Sequence, residues 1–277
     1  MHVSFSLATA LGLVGVLAGS AAAHPPPPPT GQTWQSIPEL SDEFNGTSLD
    51  AARWRPGPPA TSTYRYWAGP APGAFQANNV SVHDGSLWLR STLIDKAAPI
   101  PTNDPSKRWI GTACVSSITR AASFGYYEAR IRGSQLPVLS SFWMQNDASE
   151  IDVQEGVGMP KEHSPGRVML STTHIFLNGK PGGGSNDRPK SQVTKMDTPL
   201  TEWHTYGVWW KDPETIIYYL DDHEVARQAP NGAIDKPMFM FFDTEQHHMR
   251  LPTAAELNDE SANAMQVDWV RSYSLKQ

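Results

Sequence analysis

Cysteine is almost missing from this chain: Cys114 is the only one in 277 residues. No internal disulfide can form, so the fold must rest on a buried core. Cys114 lies in Thr112-Ala113-Cys114-Val115, a predicted strand, and reads as a small buried hydrophobe. Basic tracts are absent too, and the net charge of −6 argues against a nucleic-acid partner. No segment after the N-terminus is apolar enough to span a bilayer. Long helical periodicity is absent, and only Thr253 to Leu257 reads as a short helix.

Aromatic and apolar residues are plentiful. At 39% hydrophobic and 10% aromatic content, the chain can bury a large core. Ten tryptophans exceed what that core needs, and a surplus suits stacking on sugar rings. Near the start, an apolar run from Leu7 to Leu17 leads to Ala21-Ala22-Ala23. That pattern predicts an export signal over residues 1–23, although its first residues lack Lys and Arg. His24 and Pro25 to Pro29 open a stiff proline-rich linker over 24–35, leaving 36–277 as one domain. The mature protein is therefore expected outside the cytoplasm, unattached to membrane.

From Ser36 onward, short alternating runs are broken by turn signals. Val80 to His83 and Leu87 to Arg90 flank Asp84-Gly85, a strong hairpin cue. Further strands are predicted at Gly125 to Arg132, Val168 to His174, Thr205 to Trp210, Ile216 to Leu220, Met238 to Asp243 and Met265 to Tyr273. Asp221-Asp222 starts another turn, and Lys180 to Lys190 reads as a long loop on the rim of a groove. The fold class is all-β, a sandwich of one domain.

Most of the functional information sits in Glu150-Ile151-Asp152-Val153-Gln154-Glu155. On a strand, Glu150 and Asp152 share one face, and Ile151 and Val153 the other. Regular alternation would send Glu155 into the core, where an ionised carboxylate is costly. A β-bulge would return it to the acidic face, and bulges are common beside active sites. A solvated outer strand or a calcium cluster would also account for acids in a row. Yet three acids with no Lys or Arg between them repel, which raises at least one pKa. Such crowding suits an acid and a nucleophile with separated pKa values.

These six residues match Glu-x-Asp-x-x-Glu, and the chain here resembles glycoside hydrolase family 16. The likeness extends through Ser41-Asp42-Glu43-Phe44-Asn45-Gly46, Phe124 to Ile131, Ser140-Ser141-Phe142-Trp143, Trp203 to Val208 and Val267 to Arg271. It covers roughly Ser36 to Ser274.

The resemblance implies a jelly-roll β-sandwich with an open concave cleft for a polysaccharide. It implies Glu150 as nucleophile, Asp152 as supporting carboxylate and Glu155 as acid/base, acting with retention and without a catalytic cofactor. Trp67, Trp143, His174 and Glu245 are candidate substrate contacts, His174 being open to a purely structural role and Trp143 to a core one. Family position also implies a structural calcium held by Glu43, the Gly85 carbonyl and Asp268. The protein is expected to be a monomer whose partner is its substrate.

The bulged signature and Pro252 to Leu257 resemble the agarase and porphyranase branch, with agarose placed ahead of porphyran. Carrageenan, a β-1,3-glucan and a non-catalytic carbohydrate-binding sandwich are the alternatives. Sulfate recognition favours arginine forks, and Arg65, Arg108, Arg132 and Arg188 are available for it.

Overall fold

Along the strand Leu139–Gln145, Phe142 and Met144 alternate with Ser141, Trp143 and Gln145. The first two are fully buried in the main core, while the others line a cleft. The next strand, Ser149–Val157, repeats the division with Ile151 and Val153 inward. This period of two makes one sheet serve as both core wall and cleft floor.

A computed structural model describes residues 25–98, 106–179, 184–247 and 250–277. The expected export signal lies outside those residues. Two antiparallel sheets pack face to face. The cleft-bearing sheet has seven strands, in the order Lys190–Lys195, Val168–Ile175, Ser149–Val157, Leu139–Gln145, Phe239–Glu245, Cys114–Ser117 and Trp54–Pro56. The outer sheet is built around Ala264–Lys276, between Gly125–Arg132 and Ser86–Arg90. Its inward side chains, among them Tyr127, Ile131, Val208, Trp210, Tyr218 and Val267, meet Phe142, Met144, Ile151, Val153 and Phe242 across the core. A small third sheet, Gly73–Phe75, Ile110–Thr112 and Thr92–Leu93, stands at one end of the cleft.

The expected strands at Val80–His83 and Gly125–Arg132 fall on those residues. Asp84 and Gly85 both take positive φ, 51° and 71°, the geometry a tight hairpin demands. Asp221 and Asp222 do the same at 47° and 67°. Ala254–Asn258 forms the short helix, opened by a reciprocal cap between Thr253 and Glu256.

Two expectations need adjusting. The strand Thr33–Ser36 begins inside the stretch read as linker, because Trp34 packs on Tyr126 and Trp209 and its strand pairs with the last one. The predicted strand around Cys114 is two strands split at Ala113, where the chain passes from the third sheet into the cleft sheet. Cys114 is buried as expected, and burial pushes its thiol pKa up.

The calcium expectation is corrected. Arg271 forks onto Glu43 at 2.7 and 2.8 Å, and Arg130 donates to Asp268 at 2.6 Å. A guanidinium beside each carboxylate neutralises it and repels a dication. With only the Gly85 carbonyl left over, this donor set does not fit calcium. Chelator should therefore leave the melting temperature unchanged, and a rise of several degrees on adding calcium would restore the site.

Candidate active site

The bulge sits where the acidic pattern requires it. Trp143 pairs with Asp152 and Phe142 with Gln154, so Val153 is the extra residue. On the other side, Asp152 pairs with Thr172 and Glu155 with Leu170, again with one residue too many. Glu150, Asp152 and Glu155 thereby line a single cleft of about 590 Å³. Around them stand Tyr64, Trp67, Ser141, Trp143, Gln145, His174, Asp187 and Glu245.

Each carboxylate has defined partners. Gln145 Nε2 donates to Glu150 and, at 3.1 Å, to Tyr64 Oη. Asp152 is buried on the same strand as Glu150 and lines the cleft with it. His174 faces Glu150 across the strand pair. Its Nε2 stands 3.2 Å from Asp152 and 3.7 Å from Glu150, while Nδ1 is held by Asp187 at 2.7 Å. Asp187 thus fixes the ring and aims its other nitrogen at the acids.

Burial and crowding set the electrostatics. Burial first, then the Asp152 charge, holds Glu150 well above the usual carboxylate range. Asp152 is raised by burial and by Glu155 and Asp243. Burial raises Glu155, with the nearby His174 pulling the other way. With so many acids crowded together, protons must be shared among them. Glu150, Asp152 and His174 also bring ligand atoms within 4.8 Å of one another, the only such trio among the described residues. Gln145 already donates to one of these carboxylates, that of Glu150. Carboxyl groups and an imidazole so placed can carry out acid–base and nucleophilic chemistry.

The expected sugar contacts divide. His174 and Glu245 reach the cleft. Trp143 is its floor: it is only 5% exposed, lies parallel to Phe241 at 4.0 Å and donates Nε1–H to Asp243 at 3.0 Å. That moves Trp143 largely into the core. Trp67 is half-buried, edge-on to Tyr64, Phe75 and Trp143. Its loop is clamped by Arg108, which donates to the carbonyls of Ala68, Gly69 and Gly73. Arg132 stacks on Trp203 at the outer sheet, and Arg65 on Tyr66. Among the described residues, no Arg or Lys lines the cleft. Tyr64, Gln145 and Asp187 were not anticipated. Gln145 was within reach of simple alternation from Trp143, whereas Tyr64 and Asp187 arrive on loops with no periodic signal.

The comparisons agree with this geometry. The family description "Beta-porphyranase A-D, GH16 domain" matches residues 34–275. The chain belongs to glycoside hydrolase family 16. This family 16 domain is similar to "Beta-porphyranase E" of Zobellia galactanivorans, 34% identical across 89% of this chain and 90% of that protein. It is also similar to a "Beta-agarase" of Phocaeicola plebeius, 29% identical across 91% and 88%. Among solved structures, porphyranase B from Zobellia galactanivorans superposes with a TM-score of 0.77 at 27% identity, covering 91% of this chain and 97% of that one. The jelly roll and the glycoside hydrolase class follow from this membership.

Proposed function

We propose that this family 16 enzyme is an exported, endo-acting, retaining hydrolase of β-1,4 linkages in a red-algal galactan, working as a monomer. The observation that carries the reading is the bulged strand that sets Glu150, Asp152 and Glu155 side by side in an open cleft. Glu150, ionised, attacks the anomeric carbon while Glu155 protonates the departing oxygen. The sugar is then held on Glu150 as an ester. Glu155, now a base, takes a proton from water, which attacks the anomeric carbon from the face the leaving group left and releases Glu150 as carboxylate. Asp152 and Gln145 orient Glu150, and Asp187 orients His174 beside them. The N-terminal apolar run supports export.

The named relatives support porphyran as the substrate to test first. One observation favours agarose instead. Among the described residues the cleft lining carries five carboxyl groups and no Arg or Lys, so a sulfate at its centre would be repelled. Reducing-end release from porphyran, agarose, κ-carrageenan and laminarin separates these readings. Activity on a galactan and none on laminarin is the expected result. NMR of the first product should show the β anomer; the α anomer would rule out the double displacement.

A further inference from the structure

Tyr64 enters the cleft on a loop, and two neighbouring residues of that loop are tied to the segment just ahead of Glu150. Thr63 Oγ1 donates to Asp147 Oδ1 at 2.6 Å, and Arg120 donates to the other oxygen of that carboxylate at 3.1 Å. Tyr64 Oη accepts from Gln145 Nε2 at 3.1 Å, and the same amide nitrogen donates to Glu150. The Tyr64 ring stands edge-on to Trp67, with 5.6 Å between centroids. Two hydrogen bonds and a ring contact thus fix the phenol beside the nucleophile.

An amide nitrogen has two hydrogens, and here one goes to each oxygen. They diverge by about 120°, so at ordinary bond lengths the phenol oxygen and the Glu150 carboxylate lie roughly 5 Å apart. A single hydroxyl group bridging the two, with hydrogen bonds of ~2.7 Å, spans that gap. Tyr64 Oη already receives a hydrogen, and among the described residues its own O–H meets no acceptor. Burial first, then the Glu150 charge, pushes the phenol pKa up, so at neutral pH the oxygen keeps its proton and can donate it.

The sugar that Glu150 attacks has two oxygens beside its anomeric carbon. Its ring oxygen gains positive charge in the transition state, and a donor aimed there would oppose the reaction. Its 2-hydroxyl both accepts and donates, and hydrogen bonds to it strengthen in the transition state. We propose that Tyr64 donates to the 2-hydroxyl of the galactose that reacts with Glu150, and that this hydroxyl donates on to the carboxylate. Gln145, Tyr64, the sugar and Glu150 then form one chain, in which each hydrogen bond polarises the next. Tyr64 is a catalytic contact, and it also sets specificity. A galactose substituted on O2 has no hydrogen to pass on. The inference rests on Glu150 as nucleophile and a galactan as substrate, and it names the sugar group that the site reads.

The test uses two aryl glycosides of a galactan oligosaccharide, whose reacting galactose carries either the 2-hydroxyl or hydrogen at C2. Tyr64→Phe keeps the ring against Trp67 and removes only the hydroxyl. On the 2-hydroxy substrate it should lower kcat about 10- to 100-fold with KM changed less than about threefold, as for a contact made in the transition state. On the 2-deoxy substrate the same variant should lose less than about threefold, because the contact is already gone. Equal losses on both would show that Tyr64 only props Gln145, and would overturn the contact. So would full activity on both. Should Tyr64→Phe not fold, Thr63→Val is read on the same pair, since it frees the loop from Asp147 and leaves the phenol intact. A loss confined to the 2-hydroxy substrate supports the contact, and any other pattern overturns it. Glu150→Gln, measured alongside, must abolish cleavage of both substrates. If it does not, the nucleophile is misassigned, a failure separate from that of the hydroxyl chain.

Discussion

Glu150→Gln is expected to lower kcat roughly 10,000-fold or more, about 5 kcal/mol of barrier, because an amide cannot form the glycosyl ester. Glu155→Gln should lose about 100- to 10,000-fold on polysaccharide, the span of general acid–base catalysis. Less should be lost on a substrate whose leaving group needs no proton. Azide separates the two roles. Added to Glu155→Gln it should accept the sugar from Glu150 and give the β-azide, whereas in Glu150→Gln it can only replace the nucleophile and give the α-azide. Asp152→Asn should be milder than either, since Asp152 supports the reaction without being consumed.

These variants also have a stability signature whose sign follows from the site. Burial and the Asp152 charge raise Glu150 in the folded chain. The folded state therefore binds that proton more tightly than the unfolded one. Stability falls as pH rises from the ordinary carboxylate range through the raised value. Glutamine does not titrate. Glu150→Gln should then melt above the parent at neutral pH, with the gap closing near the ordinary carboxylate pKa of about 4.3. A variant that is inactive and also melts lower at neutral pH would be damaged, and its lost activity would say nothing of the nucleophile.

The catalytic strand was readable because its chemistry conflicts with its period. Glu155 falls on the core face of a regular strand, and only a bulge reconciles that position with a carboxylate. Two-residue turns such as Asp84-Gly85 were readable for a similar reason, since few residues accept positive φ. What stayed hidden depends on contacts distant in sequence. Arg130 reaches Asp268 across 138 positions and Trp143 reaches Asp243 across 100, and no local pattern announces either. The first gives the expected calcium ligand Asp268 an arginine partner, and the second ties the expected stacking residue Trp143 to a buried acid.

Trp143→Ala is accordingly expected to act first on stability. A stacking tryptophan would be truncated with little loss of melting temperature. Here the indole lies parallel on Phe241, meets Trp67 edge-on and is 95% covered. Removing it opens a cavity beneath the cleft, which should destabilise the fold by ~3–5 kcal/mol. Deletion of its N–H also leaves Asp243 Oδ2 without its donor, in a place water does not reach. Trp143→Phe keeps most of the packing and loses only that hydrogen bond. It should be destabilised by about 1–3 kcal/mol. Trp67→Ala should behave in the opposite way, weakening oligosaccharide binding more than stability, because its loop is held independently by Arg108. Denaturant unfolding and oligosaccharide titration of the three variants separate these outcomes. If Trp143→Ala melts like the parent and binds poorly, the indole is a sugar platform and the floor of the cleft has been misassigned.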